Sequence, residues 1–187
     1  MFRYRFSVFV LLLYAAGLFY ACQPPEEKSL EQIKEAEAAL FGDGSSFTFD
    51  ESAAIRLIQA YSAFVQEHPK SKKAPEMLLK AADLYRSMQQ PQNALKLYQE
   101  IESSYPEFEK IPQIIFLEGF TYENELNDLN AARERYETFL QKYPNHELAD
   151  DVEFSLKNLG KSPEDIIRSF EQADSTVQQL YPDTTLQ

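Results

Sequence analysis

At 187 residues the chain has the length of one domain, and its 44% apolar content is that of an ordinary globular protein. A formal net charge of −12 opposes the phosphate neutralisation on which nucleic-acid binding depends, so no nucleic-acid partner is expected. The single cysteine excludes an intramolecular disulfide.

Arg3 and Arg5 precede an uncharged, mostly apolar run from Phe6 to Ala21. It is short for a membrane span, which needs about 20 residues, and fits the apolar region of a signal peptide. The run ends at Phe19-Tyr20-Ala21-Cys22. These residues resemble a bacterial lipoprotein signal, in which the chain is cut before the cysteine and the sulfur is acylated. Phe19 and Tyr20 depart from that pattern, where a leucine and a small residue are usual. The resemblance implies a signal peptide over 1–21, palmitate-type lipidation of Cys22 and membrane contact through that lipid. Gln23 resembles the residue found in lipoproteins sorted to the outer membrane, which implies a periplasm-facing location. Glu26-Glu27 has a slight resemblance to surface-export signals. Residues 22–28 read as a tether, kept extended by Pro24 and Pro25.

Helical spacing then begins. Leu30, Ile33, Leu40 and Phe41 form one face of a helix over 29–41, and Gly42-Asp43-Gly44-Ser45-Ser46 ends it. Asp50 is placed to cap the next helix, whose apolar stripe is Ala54, Leu57, Ile58, Tyr61, Phe64 and Val65. Pro75 and Pro112 each sit in the first turn of a new helix, where a missing N–H does no harm. Gln89-Gln90-Pro91 and Asn127-Asp128 mark turns to the returning helices. Ala149, Val152, Phe154, Leu156 and Leu159 give one more helix. Ser162-Pro163-Glu164-Asp165 opens a last one, expected to pack back through Ile166, Ile167 and Phe170 as a cap with a polar outer face. Residues 181–187 read as a frayed tail. No period-two alternation of useful length occurs, so no sheet is expected.

One pattern recurs through these helices. Tyr61, Phe64 and Pro69 return as Tyr98, Ile101 and Pro106, and again as Tyr136, Phe139 and Pro144. Self-similarity at such a period marks stacked repeats that share one core. The residues resemble the tetratricopeptide repeat, a helix–turn–helix unit. Leu78, Ala82, Tyr85, Ala94, Tyr98, Ile101 and Pro106 fall at its signature positions, as do Ile115, Gly119, Tyr122, Ala132, Tyr136, Phe139 and Pro144. Glu118 departs, standing where a leucine-like residue is usual. The implied fold is all-α, an α–α superhelix or tetratricopeptide-like solenoid of about four helix pairs over residues 29–180. Long junctions between units, together with the lipid signal, resemble the repeat lipoproteins of bacterial envelopes, such as those of the β-barrel assembly machine and the Tol system.

Catalytic chemistry is poorly supplied. His68 and His146 flank proline turns and read as exposed turn residues, and the carboxylates Asp150, Asp151 and Glu153 suit the positive end of a helix. Neither a metal nor a cofactor is expected, and the chain reads as a non-enzyme. Lys70, Lys72 and Lys73 make a small basic loop, read as a solvated turn. In tetratricopeptide-repeat proteins the first helix of each pair lines a groove for a partner segment. By position the resemblance implies Leu79, Asp83, Arg86, Phe116, Phe120, Glu123 and Phe154 as partner-binding residues. For Leu79, Phe116 and Phe154 packing between adjacent repeats is the competing reading. The expected function is a lipid-anchored scaffold for protein or peptide partners at the outer membrane, in outer-membrane protein assembly or envelope maintenance. Alternatives are a surface-exposed solute or glycan binder and a non-catalytic subunit of an envelope enzyme.

Overall fold

The computed structural model describes residues 26–42 and 49–180, with side chains as far as Gln172. The signal peptide, Cys22, the start of the tether, most of the 42–46 loop and the 181–187 tail lie outside the described residues. Among those described there are eight α-helices and no strand. They are α1 (Glu26–Phe41), α2 (Glu51–Glu67), α3 (Ala74–Ser87), α4 (Pro91–Ser104), α5 (Ile111–Asn124), α6 (Leu129–Lys142), α7 (Ala149–Asn158) and α8 (Pro163–Leu180). The all-α expectation of helix pairs is therefore met. The described helices fall into two compact units that divide after Gln90, α1–α3 and α4–α8.

In the first unit α2 packs between α1 and α3. Its core is Leu57, Ile58, Tyr61 and Phe64 from α2 with Met77, Leu78 and Ala81 from α3. Asp50 caps α2 as expected, accepting the Ala53 N–H at 3.0 Å. α1 starts at Glu26 rather than at Ser29, so the last three residues assigned to the tether are helical. Glu26 and Glu27 favour the positive end of the helix, and Ser29 faces inward, donating its hydroxyl to Glu67 at 2.9 Å. Phe41, expected on the buried face, is 63% exposed, because the face that docks is centred on Ser29 and Ile33.

In the second unit α4 packs on α5, α5 on α6 and α6 on α7. Ile101, Ile114, Ile115, Tyr136, Phe139 and Val152 form its core. Asp128 caps α6 through the Ala131 N–H, after Asn127 has turned the chain with a φ of 52°. α8 differs from expectation. Ile167 and Phe170 are 58% and 57% exposed, so its outer face is not polar. Phe170 stacks on Phe154, which is itself 46% exposed, and that contact leaves both rings in water.

The three junctions after α2, α4 and α6 repeat one another bond for bond. His68, Tyr105 and Tyr143 each donate a backbone N–H to the carbonyl four residues back, on Phe64, Ile101 and Phe139, at 2.8 Å. Proline follows in every copy and stops the helix. Ser71, Phe108 and His146 then bond back to His68, Tyr105 and Tyr143, and Ala74, Ile111 and Ala149 open the next helix by bonding back in turn. The recurring triplet thus encodes a conserved turn geometry with the core residue placed just before it.

Candidate protein-interaction surface

The predicted groove positions lie on three first helices, α3, α5 and α7. Leu79 is only 5% exposed; α3 buries both Leu78 and Leu79, so Leu79 is a core residue and its assignment to a free surface is corrected. Asp83 is exposed and Arg86 half-buried on the same helix.

On α5, Phe116 is half-buried and Phe120 is 37% exposed. Their ring centroids lie 6.5 Å apart at 56°, and Phe116 rests 6.0 Å from the ring of buried Tyr136. The pair is therefore an apolar surface braced from beneath by the core. Beside it opens a cleft of about 600 Å³, lined by Lys110, Gln113, Phe116 and Leu117 on one side and His146 and Leu148 on the other. Phe154, on α7, adds a further exposed ring.

Glu123, on α5, also has partners within the fold. Its carboxylate accepts the Tyr136 hydroxyl at 2.9 Å and the Gly160 N–H at 3.4 Å. It ties α5 to α6 and to the turn after α7, so each of its oxygens accepts one bond within the fold. Burial, and then the bond to Glu123, push the Tyr136 phenol well above its ordinary pKa.

Glu118 is 1% exposed and its carboxyl lies against the Arg135 guanidinium of α6, which also pairs with Glu102 of α4. Burial, and then a hydrogen bond with Glu102, push Glu118 up to about 8, with Arg135 pulling the other way. This buried network was not anticipated as a unit. Its one signal was the glutamate at a leucine-like position of the repeat. In the first unit Glu37 accepts hydrogen bonds from Tyr61 at 2.7 Å and Lys80 at 2.8 Å. Burial raises its pKa, but these two bonds outweigh burial and hold it below the ordinary carboxylate value.

The histidines are less exposed than their turn positions suggested. The His68 side chain is 10% exposed, packs 5.1 Å from Phe64 and lies 3.3 Å from the Ser29 hydroxyl. His146 meets Phe139 edge-on at 5.6 Å, and its Nδ1 accepts the Leu148 N–H. Among the described residues no cluster of three metal-ligating side chains occurs.

Helix pairs with a braced aromatic surface on a first helix define the class of an all-α repeat protein. Residues 76–107 and 114–146 each match the tetratricopeptide repeat, 65 of the 187 residues in all. The matches coincide with the segments whose Ala82, Tyr98, Gly119 and Tyr136 suggested them. The first match spans the boundary between the two compact units. No curated protein matches the chain.

Proposed function

We propose that this chain is a lipid-anchored tetratricopeptide-repeat scaffold at the bacterial outer membrane, facing the periplasm and holding a protein or peptide partner on its second unit. The observation that carries the proposal is the exposed Phe116–Phe120 pair beside a cleft of about 600 Å³, on the first helix of a matched repeat. Such repeats generally bind protein partners. A rigid aromatic anchor surface next to a cleft suits a segment with apolar side chains at helical spacing.

Support for the anchor is sequence alone: the apolar run to Ala21, the single cysteine at position 22 and the polar stretch after it. On this reading residues 1–21 are removed, Cys22 carries the lipid and the helical body serves envelope maintenance or outer-membrane protein assembly. The test is affinity capture of the lipidated protein from detergent-solubilised envelope, wild type against Phe116→Ala/Phe120→Ala. Loss of a specific partner from the variant is expected; identical partner sets would overturn the surface assignment.

A further inference from the structure

We infer that the Lys70–Lys73 loop faces anionic phospholipid headgroups and sets how the anchored protein stands on the membrane. The inference rests on lipid attachment at Cys22, as proposed above. Four residues carry the chain from Cys22 to Glu26, the first residue of α1. Four residues reach at most about 14 Å when fully extended. Glu26 in turn is fastened to the loop after α2. It accepts the Ser71 hydroxyl at 3.0 Å, and its carboxylate lies 3.7 Å from Lys73 Nζ. A lipid on Cys22 therefore leaves the fold beside this loop.

The loop carries three lysines in four positions of a chain whose net charge is −12. Its nearby acids, Glu26 and Glu67, keep their charge and offset part of the loop's. Glu26 is held by Ser71 and Lys73, and Glu67 by Ser29 and His68. Lys70 and Lys72 are exposed and make no ion pair among the described residues; in the first turn of α1 exposed Lys28 offsets exposed Glu27. A cleft of about 450 Å³ opens between Glu26, Glu67 and His68 on one side and Lys70 and Ser71 on the other. Basic side chains are drawn to anionic lipid within a Debye length of about 8 Å at physiological salt, which the short tether allows. Two exposed lysines beside one acyl attachment add a second, weaker contact that favours one pose of the anchored protein.

The experiment uses full-length lipidated protein in vesicles whose headgroups carry a nitroxide quencher. A fluorophore is placed at Gln66→Cys, exposed in the last turn of α2, or at Glu51→Cys, exposed at its first residue. The 17 residues of α2 span roughly 25 Å, so the two sites report different heights. In vesicles rich in phosphatidylglycerol, quenching at position 66 should exceed that at 51 by about two-fold or more. The excess should shrink in zwitterionic vesicles, at high salt and in Lys70→Glu/Lys72→Glu. Equal quenching at both sites, or an excess unchanged by the charge reversal, overturns the inference while leaving the anchor intact. Absence of palmitate incorporation, or incorporation that persists in Cys22→Ala, overturns the anchor reading itself and the inference with it.

Discussion

The ring of Tyr136 occupies the space that a side chain on Gly119 would fill: a Cβ built there would lie 2.4 Å from Tyr136 Cε1 and 2.6 Å from Cδ1. The close approach of α5 and α6 thus depends on a glycine facing a fully buried tyrosine, whose hydroxyl then reaches Glu123. Helix propensity alone favours Gly119→Ala by roughly 0.5–1 kcal/mol. Overpacking against a ring held at both ends costs about 1–3 kcal/mol, so a net loss of stability is expected. Urea denaturation checks it, and Tyr136→Leu in the same background should recover part of the loss. A more stable Gly119→Ala protein would show that the ring moves freely.

Glu118 gives the second unit a pH dependence of defined sign. Its pKa rises from 4.5 in an open chain to about 8 in the fold. Between these values the native state holds a proton that the unfolded state has released, so stability falls as pH rises through that window. Denaturation midpoints at a series of pH values should show this decline in wild type and a shallower one in Glu118→Gln. Parallel pH profiles would contradict the assignment. Glu118→Leu, which restores the apolar residue usual at this position, should gain most over wild type at the alkaline end.

Glu37 has the opposite sign. Its folded pKa lies below 4.5, so its contribution is present above that value and is lost as pH falls through the folded pKa. The hydrogen bond from Lys80 lowers it most, then that from buried Tyr61; Lys80 is 41% exposed, so solvent screening reduces what its share adds to stability. Glu37→Gln should therefore remove part of the acid destabilisation of the first unit. Proton-linked unfolding followed in wild type and variant tests this, with identical acid limbs as the contrary result.

Much of this fold was readable from the chain, and the reasons are local. The prolines after Phe64, Ile101 and Phe139, the cap at Asp50, the turn at Asn127-Asp128 and the small residues at Ala82 and Gly119 act within a turn or between neighbouring helices, so spacing alone exposes them. What spacing could not show was where a polar side chain finds its partner. Glu118 meets Arg135 and Glu102 across three helices, and Glu123 accepts from Tyr136 and Gly160, pairings between elements that spacing along the chain does not reveal. Burial at equivalent repeat positions also diverges. Leu79 is enclosed, whereas Phe116 is half-buried and Phe154 is 46% exposed, because exposure depends on what covers each helix and not on its register. For the same reason Ile167 and Phe170 read as core by periodicity and stand in water.

The central claim, partner binding on the α5 face, is tested most directly by photo-crosslinking in living cells. A photoreactive residue is placed at Phe120 on the exposed aromatic surface or at Glu137, exposed on α6. The account predicts a discrete crosslinked protein from position 120 that is absent from position 137 and is lost when Phe116 is also changed to Ala. A discrete product from 137 with none from 120 would contradict it.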